Sequence, residues 1–305
     1  MKPERTVDGT GESYLEEDYH RLVTGEIPSQ FLPGTSIEII RAIRPGIPFR
    51  HVLFDFDGTL SLLREGWPEV MVPMMTEEIL ATGTKEPPEE ITRHCHDFVM
   101  RLNGKQTIYQ MIRLAEEIRA RGGRPREPAQ YKEKYHERLM QKIRHRHDEL
   151  RSGSSRPERY LVPGALELLS DLKNRGLALY LASGTDERYV KDEAGLLDLT
   201  PYFGNRVYGA VDDYRSFSKK MVIERILREN EVNGSSLIGF GDGYVEIENI
   251  KSSGGVAVAV ASDEAMRSGK PDAWKRDRLI GVGADLVIPD FREKDALLGY
   301  LFARG

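Results

Sequence analysis

Asp55 and Asp57 stand one residue apart in the run His51-Val-Leu-Phe-Asp-Phe-Asp-Gly-Thr-Leu60, where an apolar segment meets a Gly-Thr turn. A strand ending in this way delivers both carboxylates to the carboxyl edge of a sheet, where open α/β sheets bind their ligands. Two neighbouring carboxylates repel each other unless a cation lies between them, so the pair predicts a divalent metal. Three further places carry matching chemistry. Ser183-Gly184-Thr185 follows the apolar run 177–182 and offers a hydroxyl and backbone amides to phosphate oxygens. Ser218-Lys219-Lys220 opens a helical pattern and supplies a cation. Lys219 is favoured over Lys220 because it directly follows Ser218, ahead of the helix carrying Met221, Val222, Ile226 and Leu227. Gly239-Phe-Gly241-Asp242-Gly243-Tyr-Val-Glu246 adds carboxylates to a tight turn whose glycine spacing is not that of a dinucleotide fingerprint.

Apolar runs at 177–182, 206–211, 237–240, 256–261 and 286–288 read as strands, and 166–172 and 221–227 as amphipathic helices between them. Continuous apolar strands with helical crossovers predict a parallel, doubly wound α/β sheet of Rossmann-like form. Between about Glu65 and Arg156 the spacing is helical throughout. Val70, Met74, Met75 and Ile79 form one face, and Tyr131, Tyr135, Leu139 and Ile143 another. The expected organisation is an extension over 1–50, a core built from 51–64 and 157–305, and a helical cap, 65–156, inserted after the first core strand. The run Ile37 to Ile43, stopped by Pro45-Gly46, predicts one short helix within the extension. Residues 1 to about 30 are polar, of mixed charge and broken by glycines, which predicts a loosely structured segment.

The composition narrows the function classes. The chain has 305 residues and a net charge of −5, so it carries no basic footprint for nucleic acid. Its apolar stretches are too short to span a bilayer, and Met1 to Glu16 holds no apolar signal segment. The lone cysteine, Cys95, excludes an internal disulfide. Together these make a cytoplasmic enzyme the default expectation, and the net charge does not rule out a small anionic substrate.

Asp55-Phe-Asp57-Gly-Thr-Leu, Ser183, Lys219 and Gly241-Asp242 resemble, in order, the four motifs of the haloacid dehalogenase superfamily, over roughly residues 50 to 290. The helical insert resembles the C1 cap of its phosphoglycolate phosphatase and β-phosphoglucomutase-like branches. The resemblance implies that Asp55 is the nucleophile forming an aspartyl-phosphate and Asp57 the general acid and base. It implies that Ser183, Gly184 and Lys219 hold the phosphoryl oxygens, and that Asp55, Asp57 through its backbone carbonyl, and Asp242 ligate Mg²⁺. Halide-removing members lack an acid at the position of Asp57, so its presence favours phosphate-ester chemistry. Glu246 stands where the family more often has aspartate, which makes it a candidate for the metal or for support behind it. The expected function is a Mg²⁺-dependent phosphatase for a sugar phosphate or phosphoglycolate type of metabolite. A phosphomutase using the same intermediate is the alternative, and a non-catalytic binding module a more distant one.

Substrate choice is expected from the cap and its linkers. Arg64 and Trp67 follow the first motif closely, and Lys105 sits in the helix-breaking loop Asn103-Gly-Lys-Gln-Thr107. His94 and His96, like His145 and His147, are two residues apart in helical segments and so share no face, which argues against a zinc site there.

Overall fold

The computed structural model describes residues 19–23, 25, 29–211, 213–231 and 233–303. Most of the segment expected to be loosely structured lies outside the described residues. The strands are β1 (Gln30–Phe31), β2 (Glu38–Ile39), β3 (His51–Phe54), β4 (Ala178–Asp186), β5 (Val207–Ala210), β6 (Leu237–Gly241), β7 (Val256–Val260) and β8 (Leu286–Ile288). They form one eight-stranded sheet in the order β1-β2-β8-β7-β6-β3-β4-β5. From β8 to β5 every pairing is parallel, and β1 and β2 add an antiparallel edge.

Alternate residues of β3 feed two cores. Val52 and Phe54 face one that includes α5 (Ala165–Asn174), α6 (Glu187–Leu196), α7 (Thr200–Phe203) and α11 (Lys294–Leu301), whereas Leu53 faces the other. The second core is covered by α8 (Lys219–Glu229), α9 (Tyr244–Ser252) and α10 (Ala273–Gly281). Helices on both faces explain why the central strands are apolar along their whole length instead of alternating.

Between β3 and β4 run α1 (Pro68–Leu80), α2 (Pro88–Arg101), α3 (Thr107–Ala120) and α4 (Pro128–Arg151). They bury a core of their own, with Met74, Met75, Ile79, Cys95, Leu114 and Leu139 fully enclosed. The Tyr131, Tyr135, Leu139 and Ile143 stripe of α4 lies inside it, as its spacing predicts. Among the described residues no helix is long and apolar enough to cross a membrane.

The helix expected over Ile37 to Ile43 is instead strand β2 followed by a bend. A helix of that length forms few internal hydrogen bonds and nucleates poorly. The sheet offers more: Glu38 and Ile39 pair with Val287 and Leu286, and the Ile40 and Arg41 amides both donate to the Asp285 carbonyl. Glu38, buried by this pairing, accepts from Arg276 Nε at 2.6 Å.

Candidate active site

Parallel register brings the chemistry together. Phe54 pairs with Leu181 of β4 on one side and with Phe240 of β6 on the other. The Phe54 and Phe240 rings stack with centroids 4.8 Å apart, fixing this row inside the core. One or two residues further along each strand comes a polar group: Asp55 just after β3, Ser183 late in β4, Asp242 just after β6. The pairing of β4 with β5 is irregular between Ala182 and Asp186, so Ser183 to Thr185 leave the ladder and turn towards the sheet edge. Gly58 adopts φ +76°, and a Cβ there would collide with the Asp242 carboxylate, so the first and fourth motifs touch only because this residue is glycine.

Asp55, Asp57, Ser183, Gly184, Lys219 and Asp242 all line one cavity. Arg64, Trp67 and Lys105 line it too, joined by Met71, Thr107, Gln110 and Tyr135 from the helical layer. The cavity measures about 90 Å³. Lys219 Nζ donates to Asp55 Oδ1 at 2.7 Å with both groups buried. Ser218 is the N-cap of α8, its Oγ accepting from the Met221 amide, and this sets Lys219 at the first helical position facing the site. Lys220 points outward and pairs with Glu224 at 3.9 Å. Of the two adjacent lysines, only Lys219 reaches the cavity.

Burial pushes the Asp55 carboxyl up to about 6, against the Lys219 charge and with help from Asp242. Burial likewise raises Asp57 to about 7, although Arg64 lies beside it. Asp57 Oδ2 accepts from Thr185 Oγ1 at 2.9 Å, while its Oδ1 is buried and accepts no hydrogen bond. Thr185 is thus a contact to the second carboxylate that the sequence reading did not single out, although it directly follows Ser183-Gly184.

Glu246 is buried and forms an ion pair with Lys219. It backs the lysine, in support of the site, and does not line the cavity with Asp242. Asp242 has a different partner, Lys275 of α10. Lys275 Nζ donates to Asp242 Oδ2 at 2.9 Å and to Glu264 Oε1 at 2.6 Å. Burial works against the Lys275 charge, but the two carboxylates more than offset it and raise the lysine. Lys275 and Glu264 lie in a segment with no recognisable motif, so the sequence gives no sign of them.

The donor set can be tested against a metal. Among the described residues no three His, Cys, Asp or Glu side chains converge on a metal-sized point. Two carboxylates remain, and each is held by a lysine through a single oxygen: Asp55 through Oδ1 and Asp242 through Oδ2. The donors left are hard oxygens: the second oxygen of Asp55, that of Asp242, to which Thr59 Oγ1 donates at 3.4 Å, and the Asp57 backbone carbonyl. Such a set suits Mg²⁺, which keeps much of its water, better than it suits zinc.

His94 Nε2 lies 2.9 Å from Glu117, and His147 is buried 3.7 Å from Glu193.

The structure is similar to a haloacid dehalogenase-like protein of unknown function from Agrobacterium tumefaciens, with 17% identity, a TM-score of 0.52, and 82% of this chain and 98% of that one covered. It is similar to a predicted phosphatase from Clostridium acetobutylicum, with 16% identity, a TM-score of 0.52, and coverage of 82% and 98%. CbbY from Rhodobacter sphaeroides, solved in complex with xylulose 1,5-bisphosphate, is also similar, with 18% identity, a TM-score of 0.51, and coverage of 80% and 96%. At such identities these likenesses speak for the fold. No curated protein matches the sequence. The family model for haloacid dehalogenase-like hydrolases matches residues 49–254, which include the strand ends and lysine just described, and the chain belongs to that family.

Proposed function

We propose that the protein is a Mg²⁺-dependent phosphatase that hydrolyses a small phosphorylated metabolite through an aspartyl-phosphate on Asp55. The observation that carries this reading is the difference between its two neighbouring carboxylates. Burial raises both, Asp55 to about 6 and Asp57 to about 7. Asp55, however, takes its hydrogen bond from the Lys219 ammonium, whereas Asp57 takes one from the neutral Thr185 hydroxyl and has Arg64 3.8 Å away. One is set up as a charged nucleophile beside a cation, the other as a group able to carry a proton near neutral pH. That division is what acid–base catalysis on an ester requires.

In this mechanism the Asp55 carboxylate attacks phosphorus in line, while Lys219, the Ser183 hydroxyl and the Gly184 amide hold the transferring oxygens. Asp57 donates a proton to the leaving alkoxide, then takes one from the water that cleaves the acyl phosphate. Asp55, the Asp57 backbone carbonyl and Asp242 would hold Mg²⁺, which when bound offsets charge on the phosphoryl group and between the two carboxylates. Lys275 steadies Asp242 from the far side.

The size of the cavity supports a small substrate. A cavity of about 90 Å³ leaves room for a phosphoryl group and a short leaving group. Trp67, Met71, Tyr135 and Lys105 would border that leaving group. Residues 65–156 would then act as a cap over a core of 51–64 and 157–305.

The test is a panel of 2-phosphoglycolate and hexose phosphates, with Mg²⁺ or EDTA, and with identification of the products. Mg²⁺-dependent release of inorganic phosphate supports the reading. An isomeric sugar phosphate without free phosphate would replace it with a mutase.

A further inference from the structure

We infer that Glu193 is a positioning residue that keeps Arg64 off the catalytic acid, Asp57; the inference rests on the phosphatase reading for the part Asp57 plays. Arg64 lies in the linker after β3 and Glu193 on α6, and both are buried. Their pairing is multiple: Arg64 Nε donates to Oε1 and Oε2 of Glu193 at 3.1 and 3.0 Å, and Nη2 donates to Oε1 at 2.7 Å. The same Nε stands 3.8 Å from Asp57 Oδ1, outside hydrogen-bond reach.

That gap needs an explanation. Asp57 Oδ1 is buried with no donor, directly beside a guanidinium rich in donors, and buried carboxylate oxygens are seldom left so. Glu193 supplies the reason, because it takes the edge of the guanidinium that would otherwise turn to Asp57. The arrangement leaves the Asp57 carboxyl with one hydrogen bond, from Thr185. Without Glu193, the buried Arg64 has Asp57 as its nearest anion. Arginine–carboxylate pairs are strong and directional, so closing 3.8 Å would pull the carboxyl out of line with the leaving oxygen. Arg64 is then not a ligand for the substrate but a charge held in check.

A disturbed acid has a kinetic signature that general loosening lacks. Alkyl leaving groups need a proton from Asp57, whereas p-nitrophenolate leaves without one. The experiment compares kcat/KM for p-nitrophenyl phosphate with that for the alkyl phosphate that the native enzyme turns over fastest. In Glu193→Met the aryl-to-alkyl ratio is expected to rise at least about tenfold, and Glu193→Asp should largely restore it. The double variant R64M/E193M, which removes both charges, should return the ratio to near the native value. An equal loss on both substrates, or a ratio that stays raised in the double variant, would overturn the inference. A crystal structure of E193M gives a readout independent of turnover. Arg64 within about 3.2 Å of Asp57 Oδ1 supports the inference, and Arg64 still standing off overturns it. If the native enzyme hydrolyses neither ester, the phosphatase reading fails, and the crystal structure alone decides whether Glu193 restrains Arg64.

Discussion

Lys219 Nζ lies 2.7 Å from Asp55 Oδ1, a contact between residues 164 positions apart that ties the first core strand to the start of α8. The lysine also pairs with Glu246, so one buried cation answers two buried carboxylates. Substituting Lys219 by methionine would leave both acids without a partner. Turnover should fall on the order of 10²- to 10³-fold, as for loss of a transition-state donor. Breaking a buried pair typically costs about 3–5 kcal/mol, so the melting temperature should fall as well. Lys220→Ala, next door but on the surface, should change neither. Equal effects of the two substitutions would contradict the assignment.

Thr185→Val keeps the side-chain volume and removes the hydroxyl that holds Asp57 Oδ2. A hydrogen bond to a charged or acidic partner is worth roughly 1.5–3 kcal/mol, which as a rate corresponds to about a 10- to 100-fold drop in kcat. KM should move less than kcat, because the hydroxyl removed is the one bonded to Asp57 Oδ2 and the Thr185 amide is kept. A rise in KM at constant kcat would point to a substrate contact instead.

Gly104 tests the meeting of the helical insert with the core. It adopts φ +99°, and a Cβ there would stand 3.1 Å from Gly243 Cα and 3.3 Å from the Tyr244 amide. Gly104→Ala combines left-handed strain with a backbone clash where the Lys105 loop meets the fourth motif. Strain alone typically exceeds 1 kcal/mol, so KM is expected to rise by about tenfold. Steady-state kinetics with the preferred substrate would show it, and an unchanged KM would mean that this contact does not form during turnover.

His136 of α4 stacks on Tyr189 of α6 with centroids 3.8 Å apart, joining insert to core. Burial, aided by the Arg64 charge, holds its imidazole down to about 4. The unfolded chain takes up this proton near the ordinary histidine value of about 6.5, but the folded chain takes it up only near 4. The contribution is therefore fully present above about pH 6.5 and is lost as pH falls towards 4. Melting curves between about pH 7.5 and 5 should drop more steeply for the native protein than for His136→Phe, which keeps a ring in the stack. Parallel pH profiles would remove His136 from the account.

Much of the site is legible in the chain because strand ends announce themselves. A run of apolar residues followed by Asp, Ser or Gly-Asp marks both the strand and its carboxyl edge, and parallel pairing of such strands leaves few places for those groups to go. Lys219 could be chosen over Lys220 because an N-cap serine fixes which of two neighbours faces inward. What escaped the reading depends on partners distant in sequence. Glu193, Lys275 and Glu264 belong to no local pattern, since each acquires meaning only through Arg64 or Asp242 across the fold. Glu246 stands in the fourth-motif turn, and only the fold shows that it lies behind Lys219. The segment 37–43 failed for a related reason: its apolar spacing suits a helical turn, but β8, far along the chain, decides the outcome by pairing with it.

The most direct test of the central claim is to search for a phosphoryl group on Asp55. Native protein and Asp55→Asn would be mixed with Mg²⁺ and the preferred phosphate ester, quenched in acid within the first turnover, and mapped by mass spectrometry. A phosphorylated peptide spanning residues 51–64 in the native protein, absent from a folded Asp55→Asn protein checked for deamidation, is the predicted result. Mg²⁺-dependent turnover persisting in that variant would contradict Asp55 as the nucleophile.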